Sequence, residues 1–324
     1  MLIEGRYGEQ MHGLKVQPAG LLAPETFAVS EWVRIWFIGV LCGMSHSFRY
    51  QTSRSAEEVK KMDTAQLRNA FLVEKVFEKD TITATYSMQD RFIVLGVKPV
   101  QEKLSLPAFY ELTKADYFLE RREVGIINVG GKGTVTVDGE SYQLDNKDCL
   151  YIGKGKQSVV FASADAQAPA LFYINSALAA AAYPTTHIRK ADITPLTLGD
   201  ALTSNYRNIY QYILPGRVQS CQLVMGFTEL LNGSVWNSIP PHTHLRRNEV
   251  YFYFDVPEEQ VVLHLMGEPT ETRHLFMHNH QAVVSPEWSI HAGAGTASYS
   301  FIWGMAGENQ DYTDMDKLEV KNLR

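Results

Sequence analysis

The stretch PPHTHLRRNEVYFYF, Pro240 to Phe254, sets two imidazoles on either side of one threonine. It places a carboxylate five residues after the second and then runs into an aromatic segment that reads as a buried strand. Residues two apart on an extended chain share a side, so His242 and His244 present both rings to one point. Glu249 is an odd number of residues further on, and a bend between Leu245 and Asn248 has to return it to that side. Pro240 and Pro241 stiffen the approach and reduce the entropy lost in fixing it. Three unpaired polar groups beside an aromatic strand would be costly, which favours a metal site over a polar turn. A fourth ligand is offered by His291 in SPEWSIHAGAGT (Ser285 to Thr296). Two or three neutral nitrogens with one hard oxygen suit Zn, Mn, Fe, Ni or Co.

Working outward, the chain is dominated by short strand patterns. GTVTVDGESYQL (Gly133 to Leu144) alternates around an Asp138-Gly139 turn, a strong hairpin signal. LYIGKG, SVVFAS and ALFYINSA follow, and after a loop-rich link over 182–208 the strands resume with SCQLVMGFTELL, EVYFYF, QVVLHLMG, HLFMHNHQAVVS and ASYSFIWGM. Two sets of short, evenly spaced strands predict an all-β chain of two sandwiches or barrels. A faint repeat agrees: Asp116–Val129 can be laid on His242–Phe254 so that Leu119 meets Leu245 and Glu123 meets Glu249. Asp116 and Phe118 then stand where His242 and His244 stand, so the first copy keeps the frame without the imidazoles. The expected organisation is an extension over 1–43, a helical lead-in over 44–80, a metal-free barrel over 81–190 and a metal-binding barrel with its tail over 191–324. In the lead-in, Asp63 with Gln66 forms a capping box, and Leu67, Phe71 and Val76 lie near helical spacing.

The bulk numbers set limits on function. A chain of 324 residues with 45% hydrophobic and 20% charged residues has an ordinary globular composition. A formal net charge of −6 argues against a nucleic-acid partner, because no basic excess is available to neutralise phosphates. Cys42, Cys149 and Cys221 are few and far apart, which suggests reduced thiols in a cytoplasmic protein. The apolar run Glu31–Met44 is interrupted by Arg34 and is too short to span a bilayer, so no membrane partner is expected. VGGKGTVTV (Val129 to Val137) runs into a hairpin rather than a helix, so no NAD or ATP site is expected.

The HxHxxxxE pattern, followed by Pro286 and His291, resembles the two motifs of the cupin superfamily, whose members fold as double-stranded β-helix barrels. Longer segments are similar to the 5-keto-4-deoxyuronate isomerase family: LRNAFLVEKVF, YFLERREVGIINVGGKGTVTVDGE, TLGDALTSN, HTHLRRNEVYFYF and SFIWGMAGENQDYTDMD. The resemblance runs from about Asp63 to Arg324 and implies a bicupin acting on a small uronate in pectin or polyuronide breakdown. It further implies one zinc ion per subunit on His242, His244, Glu249 and His291, and a homo-oligomer, a hexamer. For such a substrate Arg246, Arg247 and Arg273 are candidates to bind the carboxylate, and Tyr251, His278 and Glu287 to handle protons. Of these, Tyr251 shares strand parity with Glu249. The other histidines (His264, His274, His280) read as structural or cavity-lining. Two alternatives stay open: an iron-dependent bicupin oxygenase resembling pirin or quercetin dioxygenases, and a non-catalytic sugar-binding cupin.

Overall fold

The computed structural model describes residues 46–231 and 233–324. The extension expected over 1–43 lies outside the described residues. The rest is two barrels, each made of a seven-stranded and a four-stranded sheet. The first large sheet runs in the order His46–Gln51, Ile82–Ser87, Ile93–Val97, Phe172–Leu178, Arg122–Asn128, Cys149–Ile152, Thr186–Ile188. The second runs Leu196–Leu198, Arg207–Ile213, Val224–Leu230, Ser300–Gly307, Arg247–Phe254, Gln281–Ser285, Leu72–Val73. Arg122–Asn128 and Arg247–Phe254 thus both hold the fifth place, and the internal repeat is real at the level of topology. The expected all-β bicupin architecture is found.

Three apolar cores follow from strand alternation. Val124 and Ile126 face the first barrel's interior with Val135, Phe161 and Phe172. Tyr251 and Tyr253 face the second with Val262, Met277 and Phe301. The opposite faces of the two large sheets meet in a third core, where Ile127 and Tyr173 pack with Val250, Phe252 and Phe254. There Tyr173 and Phe252 stack with ring centroids 4.2 Å apart. Both large sheets are therefore buried on two sides, which explains why their central strands read as continuous apolar runs.

The local signals held with two changes. Asp138 and Gly139 adopt φ of 46° and 90°, the paired left-handed conformation of a tight hairpin turn, between Gly133–Val137 and Glu140–Leu144. The capping box forms: the Asp63 carboxylate accepts from Gln66 N at 2.8 Å, and Gln66 Oε1 accepts from Asp63 N at 2.9 Å. The helix spans Thr64–Phe71 and stops short of Val76, because Leu72–Val73 instead adds an edge strand to the second large sheet against Gln281–Ser285. The lead-in also contributes His46–Gln51 to the first large sheet, so it serves both barrels. The stretch 182–208 carries Thr186–Ile188 and Leu196–Leu198, one strand for each large sheet.

The second change concerns the register of the repeat. Glu123 does not share the orientation of Glu249. It points away from the first barrel's interior, and its carboxyl group accepts from the backbone N–H of Cys221, Gln222 and Leu223, each at 2.8 Å, and from Tyr151 Oη at 2.7 Å. One shift in register reverses every side chain, so Arg122, not Glu123, occupies the inward face. Glu123 ties the first barrel to the loop that enters the second. Lys147 does the same from the other end, reaching Glu229 at 2.6 Å and Asp255 at 2.8 Å.

Glu123→Ala should leave the buried Leu223 N–H and Tyr151 hydroxyl and the half-buried N–H groups of Cys221 and Gln222 without this acceptor. At about 1–3 kcal/mol per buried orphaned group, a loss of at least ~2 kcal/mol is expected in chemical denaturation. A variant with wild-type midpoint and slope would show that the tie contributes nothing.

Candidate metal centre

The centre is assembled from three pieces of chain at one end of the second barrel. His242–Thr243 forms a short strand paired with Asp316–Lys317. The chain then turns at Leu245–Arg246, with Arg247 N donating to the His244 carbonyl at 3.1 Å, and enters Arg247–Phe254. That turn supplies the bend needed to bring Glu249 to the side of the two histidines. His291 arrives just ahead of Ala292–Gly295. One donor atom from each of His242, His244, Glu249 and His291 lies within 4.8 Å of all the others, and all four residues are buried.

The donor chemistry fits a cation. His244 Nδ1 lies 2.6 Å from the Asp314 carbonyl, His242 Nδ1 3.4 Å from the Pro240 carbonyl, and His291 Nδ1 3.4 Å from the Ser289 carbonyl. Carbonyl oxygens only accept, so the Asp314 contact places the His244 proton on Nδ1 and leaves a lone pair on Nε2. The longer contacts of His242 and His291 favour the same tautomer, with Ser285 Oγ also 3.3 Å from His291 Nδ1. The Nε2 atoms then converge: His291 Nε2 is 3.1 Å from His242 Nε2, and Glu249 Oε2 is 2.9 Å from His291 Nε2 and 3.0 Å from His244 Nε2. Three lone pairs and a carboxylate facing one another in a buried space repel, and a divalent ion relieves that repulsion.

The electrostatics agree with a neutral His242 beside an ionised carboxylate. Burial alone would raise the Glu249 carboxyl, but the adjacent His291 and His244 outweigh it and hold it well below the usual range. Burial, reinforced by His291, lowers His242 to about 3. Burial and then the Glu249 charge push the Tyr251 phenol well above its usual value, so it keeps its proton.

The other sequence candidates divide. Tyr251 faces the interior beside the centre, its ring 5.3 Å from that of His291 and its hydroxyl 2.9 Å from Ser238 Oγ. Glu287 sits at the edge of the centre: its carbonyl accepts from His244 N at 3.3 Å, and its carboxylate is engaged by Gln89. The structure does not bring His278 into the site; it is exposed in a turn. Arg273 is also elsewhere, paired with Glu271 at 2.8 Å and with the Lys60 carbonyl. Arg246 and Arg247 are near the centre but face the tail. Arg246 Nε donates to Asp314 Oδ1 at 2.8 Å, and its Nη2 to Asp316 Oδ2 at 2.8 Å. Arg247 donates to the carbonyls of Asp311 and Asp314 at 2.9 and 3.1 Å. Both arginines therefore hold the segment whose carbonyl orients His244.

Two residues, Arg207 and Asp314, were missed, and His264 was read as structural. His264 is fully buried, 2.7 Å from Tyr253 Oη through Nδ1, with Nε2 unpartnered among the described residues and its ring 5.9 Å from Tyr251. Arg207 shares the inward face with Ile209, has Tyr312, Tyr251 and Tyr299 as electrostatic neighbours, and leaves Nε without an acceptor among the described residues. Asp314 acts through its main chain. The even spacing of Arg207 and Ile209 was a readable signal; the carbonyl of Asp314 left none.

The chain matches the KduI/IolB family over residues 71–322. It is 56% identical over 268 residues to a 4-deoxy-L-threo-5-hexosulose-uronate ketol-isomerase of Enterobacter sp. (strain 638), covering 82% of this chain and 96% of that protein. It is 52% identical over 281 residues to the protein of the same name from Formosa agariphila, covering 87% of this chain and 100% of that one. Among solved structures, an IolB-like protein from Salmonella typhimurium LT2 superposes with a TM-score of 0.62 at 15% identity, covering 76% of this chain and 96% of that one, a likeness of fold.

Arg246→Ala should free the Asp314 segment and weaken metal affinity about tenfold, the low end for groups that orient a ligand. Competition with a chelator reads the affinity and a melting curve checks the fold. Unchanged affinity would show that the tail does not support His244.

Proposed function

The chain belongs to the KduI/IolB family, and from that premise we propose how it works as a metal-dependent ketol-isomerase. It converts 5-dehydro-4-deoxy-D-glucuronate to 3-deoxy-D-glycero-2,5-hexodiulosonate, a step in pectin and uronate breakdown. The observation that carries this is more than 50% identity to proteins named for the reaction, across nearly their whole lengths. The names of these relatives favour the isomerase over an iron oxygenase or a non-catalytic sugar binder. Within this reading the ion is zinc, the protein is a cytoplasmic homohexamer, and the ligands are His242, His244, Glu249 and His291.

The reaction exchanges oxidation level inside one molecule. The aldehyde carbon becomes a primary alcohol while the adjacent hydroxyl-bearing carbon becomes a ketone, so neither NAD, ATP nor oxygen is consumed. A bound divalent ion supplies Lewis-acid stabilisation of the negative charge that develops on the substrate oxygens. The chain's residues provide the rest. Tyr251, kept protonated by burial and by Glu249 and aligned by Ser238, is assigned to proton handling at those oxygens. Apolar walls from the second core exclude water, which strengthens every charge interaction within. The carboxylate end of the substrate needs a cation, and Arg207 is assigned that role in place of Arg246 and Arg273, which pair with carboxylates, and of Arg247, both of whose terminal nitrogens bind tail carbonyls.

His242→Ala, Glu249→Gln and His291→Ala should each lower both bound metal and turnover while the barrels stay folded; full metal occupancy in all three would refute the ligand set. Turnover should stop in excess chelator and return on adding zinc, and activity that survives verified metal loss would overturn the mechanism.

Arg207→Met should raise KM by at least tenfold, since a charge-assisted contact is worth about 1.5–3 kcal/mol. That penalty should vanish for an analogue lacking the carboxylate. An equal loss for both compounds would assign Arg207 a structural role only.

A further inference from the structure

The first barrel has lost the imidazoles, yet its matching end is not filled. A cavity of about 220 Å³ lies there, lined among others by Tyr86, Arg91, Phe118, Arg121 and Arg122. At about 30 Å³ per water this holds roughly seven waters or an equivalent small molecule. Arg122 opens the strand Arg122–Asn128 on its inward face, in the fifth place of the large sheet, as Arg247 opens the equivalent strand Arg247–Phe254 of the second barrel. Phe118 comes from the segment that corresponds to the HxH stretch. Val124, two residues on, stands where the second barrel carries Glu249, so the first barrel keeps a guanidinium at this end without the carboxylate beyond it.

Arg122 is only 3% exposed, and no carboxylate pairs with it among the described residues. Its Nη2 donates to the Arg91 carbonyl at 2.8 Å, its guanidinium lies 5.5 Å from the Tyr86 ring centre, and its Nη1 has no acceptor among the described residues. Burial lowers its pKa only to about 10, with Tyr86 acting in the opposite direction, so it is charged at neutral pH. Arg91 adds a second guanidinium, whose Nη1 donates to the Met88 carbonyl at 3.1 Å and to Met88 Sδ at 3.4 Å, with no carboxylate partner among the described residues. Arg121 adds a third, shared with Glu120 at 2.9 Å. A buried cation without a counter-charge is unfavourable unless an anion completes it.

We propose that this cavity is a second ligand site, distinct from the four-donor centre, that binds the oxyanion group of a small carboxylate. Arg122 and Arg91 pair with the oxygens, and Tyr86 and Phe118 cover the apolar part of the molecule.

Isothermal titration of the full, metal-loaded chain with sodium pyruvate at constant ionic strength tests this. Saturable binding is expected, weakened at least tenfold in Arg122→Gln and in Arg91→Ala and retained in Glu249→Gln. Arg91 is exposed, so its variant keeps the test valid if Arg122→Gln does not fold, and it should isomerise substrate at the wild-type rate. Inorganic phosphate in a parallel titration separates the two sources of oxyanion. Tighter phosphate binding with the same arginine dependence keeps the site and changes the ligand to a phosphorylated molecule. The proposal is overturned if neither anion binds, or if binding survives in Arg91→Ala and disappears in Glu249→Gln.

Discussion

A strand buried on both faces must divide its side chains between two interiors, and Arg247–Phe254 does so. Glu249, Tyr251 and Tyr253 face the second barrel, while Val250, Phe252 and Phe254 face the core between the large sheets. The first set builds a polar, metal-ready centre and the second joins the barrels. A slip of one residue would put the carboxylate into the apolar joint and a phenylalanine among the imidazoles, so packing on one face fixes the chemistry on the other. Because several large side chains stand behind the strand, each worth about 1.5–3 kcal/mol when fully buried, small losses at the centre leave the frame standing.

The same alternation decided what could be read from sequence. Residue types two apart carried the positions of His242 and His244, and parity placed Tyr251 beside them. It also shows why the proposed match of Glu123 with Glu249 was off by one: both stretches read as Glu followed by apolar residues, and the local sequence does not reveal which face looks inward. Hairpin and cap were legible at Asp138-Gly139 and Asp63-Gln66 because these act through their own neighbours. The helix end at Phe71 was not, since it depends on a strand more than 200 residues away.

Charged side chains were the least legible. Arg246 and Arg247 lie beside the centre in sequence and suggested a substrate contact, yet their partners are in the tail at Asp311, Asp314 and Asp316. Arg207 has the parity of the inward Ile209, but that marks a face and not a site; only the closing of the barrel brings it towards Tyr251. An arginine has a long reach and many possible partners, so its neighbours along the chain are a poor guide to what it holds. The empty frame of the first barrel carries the same lesson in reverse, where Arg122 occupies the inward face with no acidic neighbour to neutralise it.

The tail that orients His244 has a consequence in time. Asp314 and the Asp316–Lys317 strand come after every strand of the two large and two small sheets, so both barrels can close before the His244 ring is locked. During synthesis from the N-terminus, the barrel that lacks the imidazoles forms ahead of the one that has them. His244 thus gains the acceptor for its Nδ1 only after the strand that carries Glu249 has been made. An ion held by the fully oriented set of donors therefore depends on a segment that is made after both barrels.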